Sequence, residues 1–352
     1  MKKINKSILI NIIIILSGFL VSFLIIEIII RLIPEEFTKI DYSIVRDERI
    51  YNLSRGVKFK PNLSRVWTGL GPPTIWHFNN LGFRDRAVQI NKSENVFRIV
   101  VIGDSIVMGF GVEDFESFPR KMEQILKPQI VNPNMSHFEV INMGIQGYST
   151  PQYLAVLKEE ALKIKPNLII MTIYPSNDLL GVVSFEKDKL YTRLMSFADL
   201  IPFPINQYLK EKSKLYLFLL TKYYTFIQKY QSDYKISEAD NEYGWRLMEN
   251  DIKKMKIISE QQNIKLVILI IPNPKDIVNR NIPLPYYQER LVDIVKQLQI
   301  TYYDSFNDLE KYPKIRELYL DDLDDHFSPK GNEYLATLLS SFLWDNKLVP
   351  KQ

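Results

Sequence analysis

Residues 98–111 read RIVVIGDSIVMGFG. A run of β-branched residues, Ile99 to Ile102, stops at Gly103, and Asp104 and Ser105 follow at once. Apolar residues on consecutive positions, rather than alternate ones, predict a strand covered on both faces, as in a parallel sheet. Gly-Asp-Ser then predicts a turn into a short helix. Ser105 fits two roles: N-cap of that helix, or nucleophile at the end of a buried strand. Taken alone, the stretch favours the cap. Three named motifs do not fit. After Gly103 the next glycines are Gly109 and Gly111, so G-x-G-x-x-G is absent. The stretch has no Lys before Ser105, as a phosphate-binding loop would require. Val107 stands where a G-x-S-x-G elbow needs its second Gly.

The same pattern recurs along the chain. FRIVVIGD, FEVINMGI, NLIIMTIYP, KLVILIIPNP and ITYYDSF are short β-rich runs. Between and after them lie amphipathic stretches: SFPRKMEQILK, TPQYLAVLKEEALKIK, WRLMENDIKKMKIISEQQN, YYQERLVDIVKQLQ and the closing NEYLATLLSSFLW. Strand–helix alternation predicts an α/β domain with a parallel sheet over residues 96–347. Residues 182–240, rich in Tyr, Phe, Leu and Lys, interrupt it. The gap is too long for a plain loop in a compact domain and predicts a mostly helical insertion. Its aromatics suit packing first and a lid over the site second. Residues 35–95 lack helical periodicity and contain turn signals such as Gly71-Pro72-Pro73, which predicts a partly stranded linking segment.

Before that segment, Ile8 to Ile33 is almost wholly apolar, broken by Asn11, Ser17, Gly18, Ser22, Glu27 and Arg31. A bilayer core needs about 20 such residues. The run is longer than a secretory h-region and has no A-x-A site after it. Residues 1–34 therefore read as a cytoplasmic stub and an uncleaved transmembrane anchor. Lysines precede the run, so the remainder is expected outside the cytoplasm. Glu27 and Arg31, four apart, are placed to pair or to snorkel at the outer end.

The chain has 352 residues and a net charge of +4, of which residues 1–33 carry +3. The near-neutral remainder has no clustered basic face of the kind that binds nucleic acid. Cysteine is absent, which excludes thiolate zinc sites and a thiol nucleophile. A serine nucleophile needs a base, and the three histidines are His77, His137 and His326. His326 follows Asp321, Asp322, Asp324 and Asp325. A carboxylate on that loop could orient the imidazole; a solvated acidic turn opening a helix at Ser328 or Pro329 also fits. His77 and His137 have no such neighbours and read as structural. At other strand ends stand Gly147, in INMGIQGYST, and Asn177-Asp178, in IYPSNDLL. Sites in parallel α/β sheets form outside the carboxyl ends of the strands. There the Ser105 and Gly147 N–H groups and the Asn177 amide would make an oxyanion hole.

Gly103-Asp104-Ser105, Gly147, Asn177-Asp178 and Asp324-Asp325-His326 resemble, in order, the four blocks of the SGNH (GDSL-type) hydrolase superfamily. The resemblance covers about residues 96–345. It implies a flavodoxin-like three-layer sandwich and activity on acyl esters of carbohydrates, lipids and other compounds. By this resemblance Ser105 is the nucleophile, His326 the base, and Gly147 and Asn177 oxyanion donors. The sequence departs from the pattern twice. Pro175-Ser176 stand where the third block usually has Gly before Asn. Leu323 occupies the usual acid position three before His, so Asp324 is assigned as the acid, as in the D-x-H variant of some polysaccharide-modifying members, with Asp322 as the alternative. No metal or organic cofactor is indicated, since a lone His among aspartates is a poor zinc set. The expected activity is a membrane-anchored, outward-facing esterase or O-acyltransferase on acyl, foremost acetyl, esters of a cell-envelope or extracellular glycan. A membrane-bound acyl-donor protein is a candidate partner. The alternative is a non-catalytic envelope protein that keeps the fold and binds a glycan or a membrane partner.

Overall fold

The computed structural model describes residues 6–40, 49–52, 54–67, 73–127, 137–197, 200–228, 238–278, 286–321 and 325–350. In chain order the elements are α1 (Lys6–Leu32), α2 (Glu35–Thr38), β1 (Arg49–Asn52), β2 (Gly56–Phe59), β3 (Ser64–Trp67), β4 (Thr74–His77), β5 (Val96–Gly103), α3 (Ser105–Met108), α4 (Phe118–Leu126) and β6 (His137–Gly144). Next come α5 (Thr150–Glu159), β7 (Leu168–Ile173), α6 (Pro175–Lys187), α7 (Lys189–Phe197), α8 (Phe203–Lys212), α9 (Lys214–Gln228) and α10 (Glu238–Gln261). The chain ends with β8 (Lys265–Ile270), α11 (Pro274–Val278), α12 (Tyr286–Gln297), β9 (Thr301–Asp304), α13 (Phe306–Glu310) and α14 (Pro329–Asp345). It divides into two compact units: Met1–Tyr51 with Leu190–Ser232, and Asn52–Lys189 with Asp233–Gln352.

The larger unit is built on a five-stranded parallel sheet in the order β6-β5-β7-β8-β9. All five strands fall on the five apolar runs of the sequence. Consecutive apolar positions are needed because both faces are covered. Val100 and Ile102 of β5 point into a core with Tyr153 of α5, Met248 and Ile252 of α10 and Leu291 of α12. Ile99 and Val101 point into a second core with Met122 of α4 and Leu335 and Leu339 of α14. Each such fully buried aliphatic side chain contributes roughly 1.5–3 kcal/mol from removal from water. The result is the flavodoxin-like three-layer arrangement that the SGNH resemblance implies. In this strand order the connection reverses between β5 and β7. The chain therefore leaves a crevice at the carboxyl ends of those two strands, where ligands bind in such sheets.

The antiparallel hairpin β3–β4 comes from the segment expected to be partly stranded, with Ser64 opposite His77 and Trp67 opposite Thr74. Its inward face stacks Trp67 on Trp76 at 4.5 Å between ring centroids.

The smaller unit holds α1 and the helices α7–α9 after its first residues. The stretch Ile10–Leu32 of α1 is long and apolar enough to cross a membrane, and most of its side chains are exposed, with Ile30 buried. Its acidic residue is fully partnered. The Glu27 carboxylate accepts from Arg31 Nε at 2.7 Å, from Ser213 Oγ at 2.7 Å, and from the Lys214 and Leu215 N–H groups at 2.9 and 2.8 Å. Arg31 in turn donates to the Lys212 carbonyl at 2.6 Å. Glu27 thus satisfies the orphan donors at the start of α9, where the helix dipole favours an anion. Leu217 and Leu220 form a small core of this unit, and the Tyr216 hydroxyl donates to Asn206 of α8 at 3.0 Å.

Candidate active site

Ser105 is the first residue of α3, a single turn at the end of β5. Asp104, not Ser105, is the cap: its Oδ1 accepts from the Ile106 N–H at 2.9 Å. The helix need that made Ser105 ambiguous is met by its neighbour, and the Ser105 hydroxyl turns to His326. The turn lies very low over the strand ends. A Cβ on Gly103 would stand 2.3 Å from Val107 Cγ2, and one on Gly144 would stand 2.3 Å from the Met108 nitrogen. Side chains are excluded at both strand ends because α3 crosses there.

His326 Nε2 stands 2.8 Å from Ser105 Oγ, across 221 residues of chain. With the ring proton on Nδ1, the serine hydroxyl donates to Nε2, the arrangement of a nucleophile with its base. Local bonds fix the histidine loop. The Leu320 N–H donates to the His326 carbonyl at 3.0 Å, and Tyr319 bridges Phe327. Ser328 caps α14 and Pro329 opens it, as the sequence predicts. The Phe110 ring lies 4.6 Å from the imidazole, and Trp67 and Trp76 lie 5.6 and 5.9 Å behind Phe110. An apolar wall thus backs the imidazole. Just before it, the Asp325 carboxylate accepts from the Tyr174 hydroxyl at 2.8 Å. Asp324 and Asp322, the assigned acid and its alternative, lie outside the described residues.

Asn177 sits in the first turn of α6, at the end of β7, and its Nδ2 donates to Asp104 Oδ2 at 3.0 Å. Asp104 thereby joins the Ser105 turn to the Asn177 turn. Where the family pattern has Gly, Pro175 occupies the first position of α6, for which its fixed φ is suited. Asp178 holds this turn from below. Its carboxylate accepts from the Tyr174 N–H and from the Tyr153 hydroxyl, each at 2.7 Å. Burial raises the pKa of the Asp104 carboxyl. Burial, and then the charge of Asp104, push Asp178 well above the ordinary range.

Gly147 lies three residues past β6, in a turn where the Tyr148 N–H donates to the Ile145 carbonyl at 3.2 Å. Its φ is +76°, the left-handed region that favours glycine, while a Cβ there would meet nothing within 4 Å. Gly103 and Gly144 are paired in the sheet, so Gly147 follows β6 much as Ser105 follows β5. Ser105, Gly147 and Asn177 therefore all follow the carboxyl ends of three adjacent strands. Their N–H and amide groups are of the kind that receive developing negative charge. His77 bonds to Ser64 on the β3–β4 hairpin, and His137 begins β6, at the far end of the sheet from Ser105.

Several supporting residues carry no sequence motif. Arg84, 1% exposed, donates to the carbonyls of Gly109 and, at 2.6 Å, of Val112, and so fixes the backbone on either side of Phe110. Burial lowers its pKa to about 10. Asp85 accepts from the Asn142 N–H in β6 at 2.8 Å. The segment expected only to link the anchor to the domain thus braces the site. An Arg-Asp pair directly after an apolar Leu81-Gly82-Phe83 was the available signal.

No family model matches the chain, and no curated protein matches it. Solved structures do resemble it in fold. A lipase/acylhydrolase from Enterococcus faecalis is 16% identical, with 73% of this chain and 99% of that one covered and a TM-score of 0.43. A variant of an acetyl-xylooligosaccharide esterase from Geobacillus Stearmophilus is 15% identical, covering 70% and 93%, at a TM-score of 0.41. A lipolytic protein of the G-D-S-L family from Desulfitobacterium hafniense is 14% identical, covering 69% and 98%, at a TM-score of 0.40. These likenesses concern the fold; the chemistry of this chain is argued from its own residues.

Proposed function

We propose that this protein is a membrane-anchored serine ester hydrolase or O-acyltransferase that acts on acyl, foremost acetyl, esters of a cell-envelope or extracellular glycan. The observation that carries the reading is the 2.8 Å approach of His326 Nε2 to Ser105 Oγ at the carboxyl end of β5. Ser105 Oγ attacks the ester carbonyl while His326 takes its proton. The oxyanion that forms is held by the Ser105 and Gly147 N–H groups and the second hydrogen of the Asn177 amide. His326 then returns the proton to the leaving alkoxide, and an acyl-serine remains. Water, or a sugar hydroxyl, gives its proton to His326 and attacks the acyl-serine; as the bond to Ser105 Oγ breaks, His326 returns that proton to it, which releases the free acid or the acylated sugar and restores Ser105 and His326. Asp324 orients the imidazole and stabilises its charged form, with Asp322 as the alternative. Helix α1 spans the membrane from a cytoplasmic N-terminus, which holds the remaining chain at the outer surface.

The full chain, in lipid nanodiscs, should be labelled at Ser105 by a serine-directed phosphonate, and Ser105→Ala and His326→Ala should not. Absence of labelling would favour a non-catalytic binding protein on the same fold. Acetate release and acetylated glycan, followed separately from an activated acetyl ester with and without a glycan acceptor, decide between hydrolysis and transfer. Fast acetate release that no glycan suppresses would sink the transferase branch.

A further inference from the structure

We propose that helices α8 and α9 form a platform that lies in the headgroup layer of the bilayer, clamped to the anchor by Glu27 and Arg31. The proposal rests on the reading of α1 as a membrane anchor and concerns the smaller unit alone.

The level of the clamp follows from helix geometry. Twenty residues at 1.5 Å each, from Ser7 to Glu27, cover about 30 Å, the thickness of a bilayer's hydrocarbon core. Lys6 then marks the inner boundary and Glu27 the outer one. Arg31 stands about 6 Å further out along the helix, within the headgroup layer. These two side chains are the ones that hold residues 212–215: Glu27 accepts from Ser213, Lys214 and Leu215, and Arg31 donates to the Lys212 carbonyl. The junction between α8 and α9 is thereby fixed at headgroup depth. Sliding it outward would leave the Glu27 carboxylate unpaired at the edge of the hydrocarbon, where such a group is costly.

The side chains suit that depth. Leu219, Lys222 and Phe226 recur at three- and four-residue spacing and so share one face of α9. Leu219 is 52% exposed and Phe226 53% exposed, while Leu217 and Leu220 face inward. On α8, Ile205 and Tyr208 share a face and are 54% and 63% exposed. Residues 190–232 carry Arg193, Lys210, Lys212, Lys214, Lys222 and Lys229 against only Asp199 and Glu211; of these, Lys212 and Lys222 are exposed on α8 and α9, while Lys210 is buried. Exposed apolar and aromatic side chains interleaved with lysine describe a helix that lies in an interface, its apolar face about 5–10 Å deep and its cations toward anionic lipid. The occupant of the exposed face is therefore the outer leaflet of the membrane that α1 crosses.

The chain has no cysteine, so single-cysteine variants of the full protein report one position each. Ile14→Cys in the anchor, Tyr208→Cys, Leu219→Cys and Phe226→Cys would carry bimane. Each is reconstituted in vesicles of phosphatidylcholine and phosphatidylglycerol with and without nitroxide lipid. Fluorescence at positions 208, 219 and 226 should fall about threefold with a headgroup or upper-chain nitroxide relative to vesicles without nitroxide, and change little with a nitroxide deep in the acyl chain. Position 14 should respond to the deep nitroxide. If 14 responds and 208, 219 and 226 respond to no nitroxide, the platform stands off the membrane and the proposal fails while the anchor reading survives. If 14 does not respond, the anchor reading itself fails. Deep quenching at 219 and 226 would make α9 a membrane-inserted segment, which also overturns the proposal. In a Glu27→Leu background the quenching at 219 should fall about threefold with position 14 unchanged; unchanged quenching at 219 would refute the clamp.

Discussion

Replacing Asn177 by Ala separates the transition-state role proposed for this side chain from its structural one. One hydrogen of the Asn177 amide is committed to Asp104 Oδ2 at 3.0 Å. The other is the donor assigned to the oxyanion. Removal of one such donor costs about 2.7–4 kcal/mol in the transition state, or roughly 100- to 1,000-fold in kcat. The structural cost is smaller. Asp104 is fully buried but keeps its bond from the Ile106 N–H at 2.9 Å, so loss of one partner should lower folding stability by about 1–3 kcal/mol. The oxyanion exists only after attack, so KM should move by no more than about threefold. Initial rates on p-nitrophenyl acetate, with a urea unfolding curve on the same preparation, measure the two effects separately. Asn177→Asp is the companion variant. It supplies no donor and sets a second carboxyl against Asp104, so it should be as slow as the Ala variant and less stable. A kcat within about fivefold of the parent, on a folded protein, would remove Asn177 from the oxyanion hole. A loss confined to KM would make it a ground-state binding residue instead.

Ser105→Ala and His326→Ala should each abolish ester turnover with the unfolding midpoint retained, and the double variant should be little slower than either single; additive losses would mean that one of them acts elsewhere. Asp324→Asn should cost far more activity than Asp325→Asn, whose carboxylate is engaged by the Tyr174 hydroxyl; damage from Asp322→Asn instead would move the acid two residues upstream. Gly144→Ala places a Cβ 2.3 Å from the Met108 nitrogen and should cost about 1–3 kcal/mol of stability and lower kcat by displacing α3, whereas wild-type stability would contradict the close crossing. A reporter fused after Gln352 should be active only outside the cytoplasm, and a cytoplasmic signal would overturn the anchor's orientation.

The sheet was legible because strands buried on both faces must be apolar at consecutive positions. FRIVVIG, FEVINMG and LIIMTI leave no other economical reading, and β5, β6 and β7 follow them closely. The Ser328-Pro329 start of α14 was legible for a local reason as well, since the cap and the first-turn proline are neighbours in sequence. The brace from Arg84 was not. Its partners are backbone carbonyls near residues 109 and 112, and carbonyls carry no sequence signature. The tie of α1 to α9 was hidden in the same way. Glu27 pairs visibly with Arg31, but its other donors lie 186 to 188 residues away, two of them backbone N–H groups.

The ambiguity of Ser105 had a different origin. A Gly-Asp-Ser turn offers two side chains able to cap the helix that follows, and local chemistry does not choose between them. The choice is made by Asn177. Asp104 uses one carboxylate oxygen to cap α3 and the other to accept from Asn177, so its orientation is set from two strand ends at once. With Asp104 held as the cap, the serine hydroxyl is left to His326. The same aspartate therefore positions the turn that carries Ser105, the proposed nucleophile, and the amide assigned to the oxyanion. A buried carboxyl thus links the two turns directly, beside the support that Asp178 gives the second one from below. It follows that Asp104 substitutions should disturb attack and oxyanion stabilisation together, although Asp104 itself touches neither the acyl group nor the leaving alcohol.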